Sequence, residues 1–438
     1  MKIGKILSII IIIVAVLSII IFLSRDTENL YSQLSEQIYE IDIGDDLDEI
    51  LKRIEDKDYV LLGESSHGTS EYYIFRKNIT KELIERQNYS FVVIEGDWPY
   101  IYQTNRYVKD LDNTFDNGKE ALTTNSRWPE WLWANEEFLN LVEWVREYNE
   151  NLSEEERIGI YGFDMQNLEA FIKSSNDILT NINPELLDEL NSHLMCFSDY
   201  DNDLMIYAQN YSQNQISCQE SVEYIYDSFL QEYSEDEIFS SANLFNLKQN
   251  ILGIKYAERY ARDIIIGNST SWNTRVKYMT RTTENLSRKY GSESKGIIWA
   301  HNTHVGDSRA TEMKLTGMDN IGKLLREKEY DTFILGFSTY TGQVIASYEW
   351  EQPMQIMDIP SGGSGSVERK LESVGKDSFI LFFDEIELPE QLKVSLPHRA
   401  KGVVYDPLND RHSYVRTVLP ERYDAFIFIR ETSALTPL

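Results

Sequence analysis

Short apolar runs alternate with longer segments of helical spacing along most of the chain, and this pattern predicts an α/β protein. Each run has the length of a buried strand, and the intervals between runs can hold crossover helices. The predicted strands lie at 59–62, 91–94, 157–161, 296–300, 332–337, 378–383, 402–405 and 425–429. The pattern therefore predicts a mostly parallel β-sheet of roughly seven or eight strands, flanked by helices.

The stretch 59–99 contains a complete strand–helix–strand unit with polar turns. Glu64 and His67 lie in the turn after the first strand, and Glu95 and Asp97 follow the second strand. The carboxyl ends of parallel strands meet at one edge of a sheet, where ligands bind in open α/β sheets. We therefore expect these side chains to converge.

Polar side chains also follow the later predicted strands. Asp164 comes after the third strand, while His301, Asn302 and His304 come directly after the fourth. Arg76 is placed about two turns into the first predicted helix, so it can face the turn that contains the first histidine. Histidine and carboxylate side chains thus follow several of the predicted strands.

A neutral imidazole beside carboxylates can take a proton from water near neutral pH, because the negative charge raises its basicity and fixes its tautomer. This combination is typical of hydrolysis, with His67 as general base. Ser65 and Ser66 are less favoured as nucleophiles, because neither lies in a G-x-S-x-G elbow. The candidate catalytic residues are Glu64, His67, Arg76, Glu95, His301 and His304, and the candidate substrate-binding residues are Asp97, Trp98, Asp164 and Asn302.

A metal site is the alternative for the same residues, although the favoured mechanism needs no cofactor. The spacings Glu64-x-x-His67 and His301-x-x-His304 provide two pairs of ligands. With Glu95, this mixed oxygen and nitrogen set could hold Zn²⁺ or another divalent metal and lower the pKa of its bound water.

The net charge excludes one class of binding partner, and the distribution of charge along the chain predicts its division into domains. A net charge of −30 excludes nucleic acid, because phosphate binding needs stripes of Lys and Arg. Residues 173–270 include a long acidic stretch that has helical spacings and lacks Lys and Arg, which predicts a helical cap over the C-terminal edge of the strands. The α/β hydrolytic core is then formed by 45–172 and 271–438.

The amino terminus predicts a membrane anchor. A nearly continuous apolar run at 6–23 follows two lysines, so residues 1–5 are expected in the cytoplasm and 24–44 as a tether or first helix. The catalytic domain would then lie on the extracytoplasmic side of the cell membrane. A cleaved signal peptide is the alternative. An extracytoplasmic location permits Cys196 and Cys218 to form a disulfide, but the sequence alone does not show whether they do.

Five motifs, in chain order, resemble the erythromycin esterase family: GESSHGTSEYYIFR, VIEGDWP, RWPEWLWANEEF, YGFDMQ and WAHNTHVGD. The resemblance covers most of the chain from Tyr59 to Tyr348. It implies an α/β core with a helical cap, in which a histidine activates water to open a macrolactone ring. When the family's motifs are matched to this sequence, the resemblance implies that His67 is the general base. The other active-site residues then correspond to Glu64, Arg76, Glu95, His301 and His304.

The resemblance implies a small-molecule ester or macrolide as substrate, and hence possible macrolide inactivation. The apolar amino terminus and the acidic insertion depart from that family's pattern, which weakens the expectation of macrolide specificity. A surface-tethered protein that binds a ligand in the same cleft without turnover is the competing class.

Overall fold

The computed structural model describes residues 47–124 and 127–438, together with 11, 13, 14, 34, 37–42 and 44. Within these described residues, nine strands form one sheet and two others form a separate hairpin. The strands are β1 (Tyr39–Glu40), β2 (Tyr59–Leu62), β3 (Tyr89–Asp97), β4 (Gly159–Asp164), β5 (Lys295–Trp299), β6 (Thr332–Ala346), β7 (Gln355–Ile359), β8 (Ser378–Phe382), β9 (Leu396–Arg399), β10 (Tyr414–Thr417) and β11 (Ala425–Thr432).

The sheet has the strand order β1-β8-β11-β6-β2-β5-β3-β4, with β7 beside β6. Every pairing from β11 to β4 is parallel, whereas β1, β7 and β8 pair antiparallel with their neighbours. The predicted mostly parallel α/β sheet is thereby confirmed. Because β2, β5, β3 and β4 are neighbours, the turns that follow them lie side by side.

Helices cover both faces of the sheet, and side chains along each strand alternate between the two. Val60 and Leu62 belong to one buried cluster, whereas Tyr59 and Leu61 belong to the other. The helices are α1 (Asp48–Ile54), α2 (Ser70–Gln87), α3 (Trp98–Val108), α4 (Gly118–Thr123), α5 (Glu136–Asn149), α6 (Leu168–Ile182), α7 (Pro184–Leu194), α8 (Leu204–Asn214), α9 (Gln219–Glu232), α10 (Glu235–Ser240), α11 (Ala242–Ile266), α12 (Asn268–Tyr290), α13 (Asn302–Val305), α14 (Ile321–Glu327), α15 (Val367–Glu372) and α16 (Leu419–Arg422).

The acidic part of the chain is helical, from α6 to α11. The long helix α11 packs against α6, α8, α9 and α12, and α12 in turn contacts the sheet at β3, β4 and β5. Cys196 and Cys218 form a disulfide that joins the segment after α7 to the start of α9. The division of the chain into a core and an inserted cap stays a prediction.

Two of the expectations about strands are wrong. Residues 402–405 make only an isolated bridge, between Val404 and Ser347. Conversely, β7, β9 and β10 were not expected, because their residues alternate with exposed, proline or charged positions rather than forming an apolar run. β7 pairs antiparallel with β6, and β9 pairs with β10 outside the main sheet; antiparallel strands can leave one face in water and so need no continuous apolar run.

The predicted membrane anchor at 6–23 lies almost entirely outside the described residues. Among the residues that are described, no helix is both long and apolar enough to cross a membrane. This finding contradicts the predicted single-pass location in the cell membrane with an extracytoplasmic catalytic domain. The membrane as a partner likewise has no support among the described residues.

Candidate active site

The turns after β2 and β5 bring two histidines together at the carboxyl edge of the sheet. The ring centroids of His67 and His301 lie 5.0 Å apart. The main chain links the same turns, since the N–H of Asn302 donates to the carbonyl of Glu64 at 2.8 Å. The convergence expected from strand position therefore occurs in the structure.

Glu64 holds His67 from the buried side. Its Oε1 lies 2.8 Å from His67 Nδ1, and its Oε2 accepts from Arg76 Nη2 at 2.7 Å. Arg76 is fully buried, with its guanidinium over the rings of Tyr73 and Trp299. Arg76 is thus placed behind Glu64 and away from solvent, where it orients the carboxylate.

This environment changes the proton affinity of His67. Burial by itself would lower the pKa of the imidazole, but the hydrogen bond and charge of Glu64 raise it above its usual 6.5. Because the carboxylate accepts from Nδ1–H, Nε2 is the nitrogen left to take a proton. His67 also lines a cavity, so this nitrogen can act on a bound water.

Glu95 connects the turns after β3 and β5. The pairing of β3 with β4 is irregular between Ile94 and Asp97, and such a bulge redirects the side chains within it. Glu95 Oε2 accepts from the N–H of His301 at 2.9 Å, and its Oε1 lies 3.2 Å from His304 Nε2. Burial raises the pKa of this carboxyl, but His304, Arg275 and His67 bring it well below its usual value, so it is charged.

The tautomer of His301 follows from its local contacts. Its Nδ1 accepts from the backbone N–H of Thr303 at 3.2 Å. Burial and the neighbouring His67 hold the pKa of His301 well below its usual value, so the ring is neutral with its proton on Nε2. A hydrogen bond to the backbone of Ser65 acts in the opposite direction on this pKa but does not outweigh the burial. His301 is therefore a buried, neutral ring whose contacts fix its tautomer.

Arg275, on α12, contacts several of the predicted site residues but is not itself among the residues that the sequence assigned to the site. Its guanidinium donates to Asp164 at 2.7 Å and to Glu95 at 2.9 Å, and its Nη1 lies 3.2 Å from His304 Nε2. Burial would lower the pKa of Arg275, but Asp164 and Glu95 raise it, so the charge is permanent. The same helix provides Trp272, whose ring stacks on His304 at 4.4 Å.

His67, Glu95 and Arg275 border a cavity of about 220 Å³ whose lining has a polar part and an apolar part, whereas Glu64, Arg76, His301 and His304 are not among its lining residues. Asp97 is fixed on the polar side, since it accepts from Arg127 Nη1 at 2.6 Å and from the N–H of Gln166 at 2.5 Å. The polar lining is formed by His67, Glu95, Asp97, Arg127, Asp164, Gln166 and Arg275, and the apolar lining includes Ile101, Trp128, Leu132, Trp133, Trp350 and Val403.

Two of the expected substrate-binding residues are placed elsewhere. Trp98 is fully buried and donates to Asn246 at 2.8 Å, because α3 turns its ring into the helical layer. Asn302 is also fully buried and donates to the carbonyl of Phe337 at 2.7 Å. Neither side chain is among the residues that line the cavity. Asp97 and Asp164 do line it.

The two serines beside His67 are bonded to other residues. Ser65 shares a hydrogen bond of 2.7 Å with the hydroxyl of Tyr72, and Ser66 contacts the hydroxyl of Thr69. Both are buried. A serine nucleophile activated by His67 therefore has no support in this geometry.

The residues offered for the metal alternative are engaged by other side chains. In the part of the chain that the structure describes, no group of three or more His, Cys, Asp or Glu side chains is arranged to hold an ion. The reason is visible in the contacts, because Arg76 and His67 occupy Glu64 while Arg275 and two histidines surround Glu95. Each of the two carboxylates thus already has a guanidinium partner.

Fold and site together define an α/β protein with a histidine–carboxylate centre at the carboxyl edge of its parallel strands. The family model for erythromycin esterase matches residues 84–432, and the chain belongs to this family. An erythromycin esterase type II from Escherichia coli is 21% identical over 413 residues, which cover 89% of this chain and 93% of the relative. A Bacillus subtilis protein named as a hydrolase, YbfO, is also 21% identical, over 88% of this chain and 86% of its own.

Solved structures share the fold. A Bacillus cereus protein superposes with a TM-score of 0.77 at 20% identity, covering 94% of this chain and 99% of its own. A mutant erythromycin esterase in its open conformation gives a TM-score of 0.63 at 15% identity, over 88% of this chain and 94% of its own. The named relatives support the class of hydrolases for this chain.

Proposed function

We propose that this protein hydrolyses an ester bond, in a carboxylic ester or a macrolactone, with a water molecule activated by His67. The observation that carries the proposal is the contact of His67 Nδ1 with Glu64 in a ring that also lines the cavity. A carboxylate on one nitrogen makes the other a stronger base. The family suggests a small-molecule substrate, which would bind in the cavity that His67 lines.

In the proposed reaction, the water oxygen attacks the ester carbonyl carbon while His67 Nε2 takes the water proton. The tetrahedral intermediate then breaks its bond to the alcohol oxygen, and His67 returns the proton to that oxygen. The products are a carboxylic acid and an alcohol, or a hydroxy acid if the ester is a lactone. Glu64 and Arg76 position the base and do not touch the substrate.

Two groups are suited to stabilise the developing oxyanion. Arg275 lines the cavity and carries a permanent positive charge. The ring of His301 lies 5.0 Å from that of His67, centroid to centroid, and its Nε2–H is the second donor proposed for the oxyanion. Fixed donors of this kind act strongly in a site that excludes water. Glu95 holds the backbone of His301 and the side chain of His304 in place.

Mass spectrometry tests the proposal directly. The protein is incubated with a library of simple esters and macrolides, and each compound is examined for the gain of one water molecule. We expect hydrolysis of at least one ester by the wild type, and its loss in His67→Ala. Intact compounds that remain bound after long incubation would favour a ligand-binding protein without turnover.

A further inference from the structure

The apolar side of the cavity contains an aromatic pair that the proposed reaction does not use. Trp128, in the loop before α5, and Trp350, in the loop between β6 and β7, meet with ring centroids 4.5 Å apart at 62°. The indole N–H of Trp128 donates to the carbonyl of Gln352 at 2.9 Å, which ties the loops together. Two segments far apart in sequence thus build one wall.

One member of this pair is open to solvent, and the other is half-buried. Trp350 is 52% exposed although it lines the cavity. Keeping a large aromatic side chain in water is costly, and exposed apolar groups at a cavity mark places where ligands bind. On its inner side the wall continues through Trp133, Leu132 and Val403. An apolar ligand group would cover these surfaces.

The cavity limits the size of that group. Its volume of about 220 Å³ is below the range of roughly 300 to 1,000 Å³ that encloses drug-sized ligands. A larger groove of about 970 Å³ lies beyond Tyr100, which lines both spaces and accepts from Asn167 at 2.9 Å. That groove has no histidine among its lining residues. A bulky substrate would therefore leave most of its body outside the space that His67 faces.

We infer that Trp128 and Trp350 form a subsite for a short apolar acyl or alkyl group, and that the substrates are small apolar esters rather than macrolides. This inference rests on the proposed ester hydrolysis. The polar side of the cavity holds the carbonyl group, and the indole wall holds the apolar substituent next to it. The two tryptophans set the length of chain that fits.

Two series of substrates test the inference on the full chain. One contains 4-nitrophenyl acetate, butyrate and octanoate, and the other contains acetates of alcohols of increasing length. In at least one series, kcat/KM of the wild type should rise about tenfold for each methylene that the subsite encloses, and fall for the longest chain. Trp350→Ala should move the optimum to the longest chain, while Trp350→Phe keeps the preference for short chains.

Trp144→Ala is the matched control, because Trp144 stacks on Tyr148 on α5 and does not line the cavity. Its profile should equal that of the wild type. A flat profile in both series, an unchanged optimum in Trp350→Ala, or a higher kcat/KM for erythromycin than for the best short ester would overturn the inference. If the wild type hydrolyses no ester at all, the proposed function fails first and the inference falls with it.

Discussion

Glu64 Oε1 lies 2.8 Å from His67 Nδ1, and this contact determines which ring nitrogen can act on water. We predict that Glu64→Gln, which removes the charge and allows an amide N–H to face the ring, lowers kcat at least about 10²-fold. It should also move the acidic limb of the pH–rate profile to lower pH, because the charge of Glu64 raises the pKa of His67. Steady-state kinetics across pH provide the measurement.

Glu85→Gln serves as the control, since Glu85 is exposed on the same helix that carries Arg76. It should keep both the rate and the pH profile of the wild type. A Glu64→Gln variant with an unshifted acidic limb would show that Glu64 does not set the basicity of His67.

The pH dependence of the wild type follows from the sign of the same shift. The folded protein holds the pKa of His67 above 6.5, and only the neutral ring can take a proton from water. Consequently kcat/KM should fall as the pH decreases through a value above 6.5. A rate that stays constant on the acidic side of that value would argue against a histidine base.

Arg275 is expected to act on the transition state. Arg275→Gln should reduce kcat by about 10² to 10³, because it removes a fixed positive charge from the cavity wall. Arg275→Lys keeps the charge but loses the forked contact with Asp164, so an intermediate loss is expected. Arg281→Gln changes an exposed arginine two turns along the same helix and should behave like the wild type. Equal rates for Arg275→Gln and the wild type would exclude the assigned role.

Gly68 fixes the turn that carries His67, and a side chain has no room there. A Cβ at Gly68 would lie 2.0 Å from the carbonyl oxygen of Ile345. We predict that Gly68→Ala lowers the free energy of unfolding by about 1–3 kcal/mol, as measured by urea denaturation. Gly363→Ala, where the nearest atom is 3.7 Å away, should have little effect. Equal stability of the two variants would contradict the tight packing of this turn.

Metal removal should not affect turnover. The carboxylates of Glu64 and Glu95 are engaged by guanidinium and imidazole groups, so the site has no open set of ligands. Dialysis against a chelator is therefore expected to leave kcat/KM unchanged. If activity is lost on chelation, returns when Zn²⁺ is added and does not return in metal-free buffer, the expectation of an unchanged kcat/KM is contradicted.

The sequence predicted those site residues whose position depends only on their place at the end of a strand. Glu64, Glu95 and His301 each follow an apolar run, and parallel pairing of those runs is enough to bring them to one edge. Their mutual contacts follow from strand order, in which β5 lies between β2 and β3. That order is set by tertiary packing and is not visible in the spacing of apolar residues.

The missed and misplaced residues depend on contacts between distant segments. Arg275 lies near the start of a helical pattern, where an arginine is most often solvated, and only the packing of α12 on β4 brings it to Asp164. The pairing of Trp128 with Trp350 likewise joins two loops. Trp98 and Asn302 follow strand ends as expected, yet their side chains turn into the core to satisfy buried partners.

The central claim is that one imidazole activates the attacking water, and His67→Ala tests it most directly. The measurement is kcat/KM for the best ester found in the library, with circular dichroism to verify the fold and His412→Ala, an exposed histidine, as the control. The account predicts a loss of about 10² to 10⁴ in His67→Ala and none in His412→Ala. Turnover at the rate of the wild type in a folded His67→Ala protein would contradict it.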